Sequence, residues 1–425
     1  MPAISSSRRE EVVSFEQARH LVEQAAGALL TAGIRKETEQ VPLLESRGRV
    51  LAQELRADRD FPPFRRAARD GYALRSADTG AASEKTPVRL KVVGEIAAGT
   101  RALPEIHEGE GAEIMTGAPT PDGADAIVMV EHTESAETGW VHVLRPVRQG
   151  ENVVAKGSEA RQGDMLLNPG AILLPPAIAV AAGVGCAELL VYARPRVAVL
   201  ATGNELVDVA VQPAAHQIRN SNAYSLAAQV QAAGAKPYML PIAPDEKPRL
   251  TELVREGLTA DLLLIAGGVS MGKYDLVEEV LTELGAEFLF TGARIQPGKP
   301  IVFGRIPNQP GSSKYFFGLP GNPVSTMVTF DLFVRPVIEA LAGAQPEKLY
   351  FVKARLKSEI RTKTGLTRFL PGMLSGECEA TEVEVVRWQG SGDTVATAQA
   401  NCYIVVPPNC ESIPAGEMVS LFRRT

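Results

Sequence analysis

Cysteine and histidine are scarce in this chain of 425 residues, and neither is arranged as metal sites require. The four cysteines, Cys186, Cys378, Cys402 and Cys410, show no paired CxxC spacing. This argues against a zinc site and a disulfide framework, and it predicts reduced, mostly structural thiols. The five histidines show neither HxH nor HExxH spacing, which argues against a histidine-built metal centre.

Long apolar runs and an excess of basic residues are also lacking. No stretch of about 18 apolar residues could span a membrane, and the first residues lack the charged-then-apolar order of a signal peptide. We therefore expect a cytoplasmic protein without a membrane partner. The formal net charge of −6 argues against a nucleic-acid partner, because such domains are normally basic. The length of 425 residues predicts two to four domains.

What the chain does have is a buried strand that ends in a glycine-rich loop. The all-apolar run Leu262–Ala266 is followed by Gly267–Gly272, and Tyr315–Phe317 leads in the same way into Gly318–Ser325. Glycines let the backbone approach an anion, and the free N–H groups of the next helix face it. Two such loops predict a binding crevice at the carboxyl ends of parallel strands. A pair of tight strand-to-helix turns is the alternative.

The pattern changes along the chain and indicates several domains. Residues 14 to 32 carry a helical apolar stripe with Ser14 as its N-cap. Residues 48 to 148 are rich in short β-like runs, which predicts a β-rich domain. From residue 196 onward strand and helix patterns alternate, as in βαβ units on a parallel sheet. After residue 345 β-like runs return, which predicts a small C-terminal β domain.

Two carboxylates stand where a metal ion would assist phosphate chemistry. Glu205 follows the strand at residues 197 to 201, so it is expected at the same sheet edge as Gly267 and Gly268. A carboxylate beside a phosphate loop often holds magnesium, although an exposed surface glutamate is the alternative. Asp275 follows the glycine loop at the start of a helix, where it would either bind a metal or cap the helix.

A lysine and a serine complete the candidate chemistry. Lys299 lies between Pro297 and Pro300, and its ammonium would anchor an oxyanion or a phosphate if it is not simply solvated. Ser325 would bring a hydroxyl to the crevice or serve as a helix cap. The arginines at residues 65, 66 and 69 fit either a solvated face or an anionic substrate.

Taken together, six motifs in order resemble the molybdopterin molybdenumtransferase family, which includes bacterial MoeA proteins and the C-terminal part of gephyrin. The resemblance spans roughly residues 14 to 423. The motifs are Pro62-Pro63-Phe64 with Asp70-Gly71-Tyr72-Ala73, Met115-Thr116-Gly117-Ala118-Pro119 with Gly123-Ala124-Asp125-Ala126, Thr202-Gly203-Asn204-Glu205-Leu206, Gly267-Gly268-Val269-Ser270-Met271-Gly272, Pro297-Gly298-Lys299-Pro300, and Gly318-Leu319-Pro320-Gly321-Asn322-Pro323-Val324-Ser325.

This resemblance implies a multidomain α/β plus β protein. Its parts would be an interrupted helical domain (8–47 and 147–186), a β-rich domain (48–146), a central three-layer α/β molybdopterin-binding domain with a mostly parallel sheet (187–345), and a C-terminal β-barrel-like domain (346–425). Family members are elongated homodimers. The resemblance therefore implies that Asp70 and Thr116 of one subunit serve the crevice of the other.

The resemblance also implies an enzyme of molybdenum cofactor biosynthesis. Family members insert molybdenum from molybdate into adenylylated molybdopterin and release AMP, with Mg²⁺ as the metal. Candidate partners are the molybdopterin adenylyltransferase that supplies the substrate and the molybdoenzymes that receive the product. Two alternatives stay open: a non-catalytic molybdopterin-binding scaffold or carrier, and a tungstate-specific homologue.

Site residues carry over position by position. Asp275, Lys299 and Glu205 are implied as catalytic, and Asp275, Glu205 and Asn220 as metal ligands. Lys299 and backbone N–H groups near Ser325 would bind molybdate, while Gly267 to Ser270 would cradle a phosphate. The implied substrate-binding residues are Asp70, Thr116, Gly267, Gly268, Ser270, Gly272, Pro297, Gly298, Pro300, Ser325, Arg368 and Ser391.

The chain departs from the family pattern at a few positions. Asn220 stands where members often carry an aspartate, and Gln296 where many carry a lysine. Asparagine still coordinates metals through its carbonyl oxygen, but more weakly than a carboxylate. Residues 64 to 69 carry arginines in place of the Asp-Asn-Ser-Ala-Met type of sequence. The matches around Arg368 and Ser391 are loose.

Overall fold

The structure is a computed structural model that describes residues 12–31, 37–268, 276–309 and 312–423. A π-helical turn, Phe330–Val334, joins its sixth and seventh helices. None of the helices in these ranges is long and apolar enough to cross a membrane. The α-helices are α1 (Phe15–Thr31), α2 (Pro175–Gly183), α3 (Ser221–Ala232), α4 (Lys247–Gly257), α5 (Leu276–Glu283), α6 (Pro323–Thr329), α7 (Arg335–Ala342) and α8 (Thr394–Gln399).

The chain forms two compact units. The first unit comprises Met1–Gln40, Gly48–Ala52 and Leu190–Thr425, and the second comprises Val41–Arg47 and Gln53–Leu189. The second unit therefore comes almost entirely from one segment of the chain that interrupts the first. The finer division into four domains stays a prediction.

A six-stranded sheet forms the centre of the second unit. Its strands are β1 (Gly71–Leu74), β2 (Val88–Ile96), β3 (Glu110–Ile114), β4 (Ala126–Met129), β5 (Thr133–Ser135) and β6 (Trp140–Val143). They lie in the order β4-β1-β3-β2-β6-β5, and only the β2–β3 pair is parallel. Successive residues face opposite cores: Ala73 packs on one side and Leu74 on the other. This alternation confirms the β-rich texture predicted for the segment.

A mixed sheet with helices on both faces forms the centre of the first unit. Its strands are β7 (Arg196–Ala201), β8 (Lys236–Met239), β9 (Leu262–Ala266), β10 (Glu287–Phe290), β11 (Val302–Gln309) and β12 (Ser312–Leu319). They lie in the order β8-β7-β9-β12-β11-β10. β11 runs antiparallel to both its neighbours, and the other three pairings are parallel. The carboxyl ends of β7, β8, β9 and β12 thus share one edge.

Burial on both faces explains why the central strands are apolar throughout. Leu262 and Leu264 of β9 pack into the same core as helices α1, α3 and α6, whereas Leu263 and Ile265 pack with α4 and α5. Continuous apolar runs are typical of parallel strands that are covered on both sides. Full burial of each of these side chains contributes about 2 kcal/mol. The predicted three-layer packing is therefore present around this sheet.

Helix α1 belongs to the first unit and begins with a reciprocal capping box. The Gln17 N–H donates to Ser14 Oγ at 3.1 Å, and the Ser14 N–H donates to Gln17 Oε1 at 2.9 Å. The predicted N-cap is thereby confirmed. Phe15 then packs edge-on against Phe333 and Phe369, with ring centroids 6.1 and 5.4 Å away. These contacts join α1 to the π-helical turn and to the C-terminal strands.

The C-terminal strands close into a five-stranded barrel. They are β13 (Phe351–Leu356), β14 (Thr367–Ser375), β15 (Glu382–Val385), β16 (Cys402–Val406) and β17 (Met418–Arg423). Each pairs with two others, in the ring β14-β15-β13-β17-β16-β14. The barrel-like fold predicted for this region is confirmed. The short strand Ile295–Gln296 pairs with β14 and so ties the α/β part of the unit to the barrel.

Short strands complete both units. In the first unit Val12–Val13 pairs with Gly292–Ala293, Leu206–Val207 with Ile218–Arg219, and Ile360–Arg361 with Ser412–Ile413. In the second, Leu55–Arg56 pairs with Met165–Leu167, and Arg66–Ala67 with Val153–Val154. The remaining elements are the strands Thr38–Pro42 and Glu188–Tyr192 and the 3₁₀ turns Leu43–Ser46, Ser76–Thr79, Val130–His132 and Cys378–Ala380.

Candidate active site

A cavity of about 1090 Å³ lies at the carboxyl edge of the α/β sheet in the first unit. Thr202 follows β7, Asp245 follows β8, Gly267 follows β9 and Pro320 follows β12, and all four residues line it. This is the edge at which open parallel sheets bind ligands. Of the predicted site residues, the cavity wall contains Glu205, Asn220, Gly267, Gly268, Pro297, Gly298, Lys299, Pro300, Ser325 and Ser391.

The loop after β9 requires glycine at its first two positions. Gly267 and Gly268 have φ of +94° and +66°, a region that other residues rarely adopt. A Cβ on Gly267 would lie 2.6 Å from the Thr202 carbonyl oxygen, and one on Gly268 would lie 2.6 Å from Val277 Cγ2. These two positions therefore have no room for side chains. Three further predicted residues of this loop, Ser270, Gly272 and Asp275, lie outside the described residues.

Two carboxylates stand next to the turn that follows β7. A Cβ on Gly203 would lie 2.5 Å from Glu205 Oε2, so this carboxylate folds back over the turn. Asp245 accepts from the Asn204 N–H and from Thr202 Oγ1, both at 3.3 Å. The sequence analysis missed Asp245. It comes after strand β8, so the rule that selected Glu205 by its position after a strand would also have selected it.

Asn220 caps helix α3 at the cavity wall. Its Oδ1 accepts from the Ala223 N–H at 3.2 Å, and its side chain is buried. The carboxamide oxygen has a second lone pair, so capping leaves it one acceptor position. Two residues later, Asn222 Nδ2 donates to the Gly321 carbonyl oxygen at 2.6 Å, which joins the start of α3 to the loop before α6.

Lys299 projects from a stiff loop on the cavity wall. The flanking Gly298 has φ of +108°, and a Cβ there would lie 2.4 Å from Thr329 Cγ2 on α6. The Lys299 carbonyl accepts from the Ala293 N–H at 3.0 Å, which fixes the backbone. Its ammonium forms no ion pair with any residue that the structure describes. The backbone of the lysine is therefore held in place, and no residue of the described ranges neutralises its charge.

The loop between β12 and α6 brings the barrel segment to the cavity. Asn322 Nδ2 donates to Ser391 Oγ at 2.9 Å, and the Val324 N–H donates to the Ser391 carbonyl at 3.0 Å. Ser325 lies buried in the first turn of α6, whose N-cap position is occupied by Asn322. Ser325 is thus not the cap of this helix. The predicted inclusion of Ser391 in the site has a direct geometric basis.

Arg368 is a buried cation without an acidic partner among the described residues. It is 7% exposed, and Nη1 donates to the Leu366 carbonyl at 3.2 Å. Desolvation by burial lowers the pKa of its guanidinium. Arg368 pairs in register with Gln296, and both Gln296 and Leu366 line the cavity. Arg368 itself is not part of the wall but lies directly behind it.

The second unit holds Asp70 and Thr116 as a hydrogen-bonded pair. Asp70 Oδ1 accepts from the Thr116 N–H at 2.6 Å and from Thr116 Oγ1 at 2.8 Å. These bonds, the N–H first, hold the pKa of the exposed Asp70 carboxyl below its usual value. The Asp70 carboxylate is therefore fixed in orientation and charged at neutral pH.

The donor set of the cavity is compatible with a magnesium ion. Glu205, Asp245 and Asn220 offer carboxylate and amide oxygens, the ligands that Mg²⁺ prefers, usually with substrate phosphates and waters completing the shell. In the parts of the chain that the structure describes, no three His, Cys, Asp or Glu residues cluster as a metal cage. An all-protein cage is not expected for Mg²⁺, so the residues present fit this ion.

Comparison with known proteins identifies this architecture. Residues 198–340 match the family model described as a probable molybdopterin binding domain. Residues 13–185 match the MoeA N-terminal region (domain I and II), and residues 353–422 match the MoeA C-terminal region (domain IV). The α/β part with its glycine-lined cavity thus belongs to the class of molybdopterin-binding domains. The matches on either side of it narrow this class to proteins of the MoeA type.

Full-length relatives agree with the family models. The "Molybdopterin molybdenumtransferase" of Nostoc sp. is 36% identical over 390 residues, which cover 91% of this chain and 88% of that protein. The protein of the same name from Bacillus subtilis is 33% identical, covering 91% and 89%. A crystal structure of the molybdopterin biosynthesis moeA protein from Pyrococcus horikoshii OT3 superposes with a TM-score of 0.75 at 29% identity, covering 97% and 100%. The chain belongs to the molybdopterin molybdenumtransferase (MoeA) family, and the family predicted from the motifs is confirmed.

Proposed function

We propose that this protein transfers molybdenum from molybdate to adenylylated molybdopterin, with release of AMP and the molybdenum cofactor. The observation that carries the proposal is the cavity, which collects motif residues from the α/β loops and from the barrel segment. The relatives named molybdopterin molybdenumtransferase support the same reaction, and the enzyme class predicted from the sequence is confirmed. The individual residue roles below are part of the proposal.

One group of residues at the cavity suits a tetrahedral dianion. Among the described residues, Lys299 and Arg368 have no acidic partner, and Ser391 adds a hydroxyl; Lys299 and Ser391 line the cavity, and Arg368 lies behind its wall. Charge-assisted hydrogen bonds to oxyanions are short and strong, particularly where water is excluded. We assign these three residues to molybdate, whose oxygens they would hold and polarise.

A second group suits the pyrophosphate of the adenylylated substrate. The glycine loop at Gly267 and Gly268 lets backbone N–H groups come close to a phosphate. Glu205 and Asp245, with Asp275 from the adjacent undescribed stretch, are the residues that would hold Mg²⁺. When bound, this ion neutralises charge that develops as AMP leaves. Lys299 then orients the molybdate, and the loop orients the phosphate.

The direct test is molybdate-dependent AMP release from adenylylated molybdopterin, measured by chromatography with purified protein and magnesium. We expect Lys299→Ala to lower kcat/KM about 100-fold, the usual loss when one donor to a developing oxyanion is removed. The matched control is Lys348→Ala, because Lys348 is exposed in the same unit and does not line the cavity. Equal rates for Lys299→Ala and the control would contradict the proposal.

The remaining parts of the proposal follow the family resemblance. We place the reaction in the cytoplasm, in a homodimer in which Asp70 and Thr116 of one subunit contribute to the cavity of the other. The molybdopterin adenylyltransferase and the recipient molybdoenzymes are its expected partners. Substrate binding without AMP release would favour the scaffold alternative, and release with tungstate alone would favour a tungstate-specific homologue.

A further inference from the structure

Trp388 is the one aromatic side chain among the described residues that line the cavity. It follows β15 and precedes α8, in a segment between two barrel strands that is hydrogen-bonded to the start of α6. The ring is partly buried and packs against the core that α1, α3 and α6 share with the sheet. One part of the ring thus rests on the core while another part faces the cavity.

The segment that carries Trp388 is fixed on both sides, because two residues earlier the Val386 N–H donates to the Pro371 carbonyl oxygen at 2.9 Å. Three residues later, Ser391 is bonded to Asn322 and Val324 at the start of α6. One residue later, the Gln389 N–H donates to Asp393 Oδ2 at 3.0 Å. A ring on such a segment is pre-positioned, so little conformational entropy is lost when a ligand packs against it.

No aromatic ring or cation in the described ranges stacks on the Trp388 indole. The cavity wall also contains the aliphatic residues Ile295 and Leu366, and the pairing of Ile295 with Thr367 at the start of β14 brings these two close together. The wall therefore contains an aromatic ring and aliphatic side chains in addition to its polar and charged groups. A flat, partly apolar ring of the substrate is the chemistry that such side chains accept.

We propose that Trp388 is a specificity-determining residue that stacks on a planar heteroaromatic ring of the substrate. This inference rests on the proposed function, whose substrate carries two such rings, a pterin and an adenine. Stacking of a nucleobase on an aromatic side chain typically changes binding about tenfold or more on alanine substitution. Trp388 would thus select ring-bearing substrates, while Lys299 selects the anion.

The chain contains two tryptophans, Trp140 and Trp388, so fluorescence isolates the residue without disturbing it. Trp140 lies in the second unit, where the Arg89 guanidinium stacks on its ring at 3.9 Å. Trp140→Phe leaves Trp388 as the single emitter, and Trp388→Phe is the matched control that leaves Trp140. Each variant is titrated with AMP and, separately, with a soluble pterin such as 6-carboxypterin.

We expect saturable quenching in Trp140→Phe by one of the two probes and none beyond inner-filter absorption in Trp388→Phe. Quenching by AMP assigns the adenine ring, and quenching by the pterin assigns the pterin ring. Identical curves in the two variants would overturn the inference. Because this readout needs neither molybdate nor turnover, it is independent of the AMP-release assay that tests the proposed function.

Steady-state kinetics give a second readout. Trp388→Leu is expected to raise the KM for adenylylated molybdopterin about tenfold with little change in kcat. Trp388→Phe, which keeps an aromatic ring at this position, is expected to have a KM close to that of the wild type. A normal KM in Trp388→Leu, with AMP release intact, would remove Trp388 from substrate binding and leave the proposed function standing. If the wild type fails to release AMP but quenching of Trp388 is retained, the proposed function is contradicted and the inference about Trp388 stands.

Discussion

The two units use their family motifs in different ways. In the second unit, Asp125 accepts from the Ser76 N–H at 2.7 Å and from Ser76 Oγ at 2.9 Å, so this motif residue stabilises a turn. A Cβ on Gly71 would lie 1.8 Å from the Val128 carbonyl oxygen, so this glycine permits two strands to meet. In the first unit, Lys299 and Glu205 form no ion pair with a described residue and line a cavity.

This difference between the units indicates two reasons why particular residues occur in a motif: some stabilise the fold, and others serve a ligand. Where motif side chains are consumed by internal hydrogen bonds or by close backbone contacts, as at Asp125 and Gly71, the motif secures the fold. Where charged groups are held by a rigid backbone but lack internal partners, the motif serves a ligand. Asp70 lies between these cases, because Thr116 binds one of its carboxylate oxygens and the other has no partner in the described chain.

The largest expected effect is on the fold of the second unit. Gly71→Ala would drive a Cβ into the Val128 carbonyl oxygen, which a paired strand cannot move aside. We expect destabilisation of about 3 kcal/mol, seen by calorimetry as a Tm about 10 °C lower. Gly94→Ala, in strand β2 of the same sheet, is the control, because its nearest contact is Pro104 Cγ at 3.7 Å. Equal Tm values for the two variants would refute the structural role of Gly71.

A smaller effect on stability, but a clear one on activity, is expected in the first unit. Gly298→Ala imposes a φ of +108° on an alanine and a contact of 2.4 Å with Thr329 Cγ2. The Lys299 loop should shift, lowering kcat/KM for AMP release about tenfold at a cost of about 1–2 kcal/mol in stability. Thr329→Ser removes the blocking methyl group, so it should be active alone and recover part of the loss in the double variant. No recovery would mean that backbone strain alone moves the loop.

The smallest expected effect is on the titration of Asp70. Thr116→Val removes the hydroxyl bond and keeps the stronger N–H bond, so the Asp70 pKa should rise but stay below its usual value. A carboxyl with a lowered folded pKa stabilises the protein above its unfolded pKa and loses that effect as the pH falls through the folded pKa. In Thr116→Val this stabilisation should be smaller, and its loss should be complete at a higher pH, because the folded pKa lies closer to the unfolded one. Carboxyl-carbon NMR titration measures it, and an unchanged pKa would show that the hydroxyl does not contribute.

Much of the fold could be predicted because the spacing of apolar residues and the glycines and prolines that end an element are local features of the sequence. The apolar runs before Gly267 and Gly318, the stripe behind Ser14 and the β-like runs after residue 345 all match elements of the structure. The antiparallel strand β11 and helix α4 were missed. Strand direction is set by pairing partners rather than by residue order, and α4 carries its apolar residues in a strongly charged context.

The candidate site was predictable only in part, for the same reason. Glu205, Lys299 and the glycine loop stand in motifs whose neighbours along the chain define them. Arg368 was implied by the family resemblance alone, and its place behind the wall comes from the pairing of Gln296 with β14. Asp245 was missed although its position after a strand indicates it, and its hydrogen bonds to the turn at Thr202 join distant segments, which spacing along one sequence does not reveal. Trp388 lies outside the six motifs, and only the structure identifies it as a residue that lines the cavity.

The closed barrel has a consequence for the order in which the cavity is built. Strand β17, the last one described, pairs with both β13 and β16 and so completes the ring. The ribosome delivers the chain from its amino end, so the loops at Thr202 and Gly267 emerge long before the wall that carries Trp388 and Ser391. In a growing chain the glycine loop at Gly267 is therefore present early, and the part of the wall that contains Ser391 is present last. Under the proposed function, the residues assigned to molybdate therefore come together only after the segment that carries Ser391 has been synthesised.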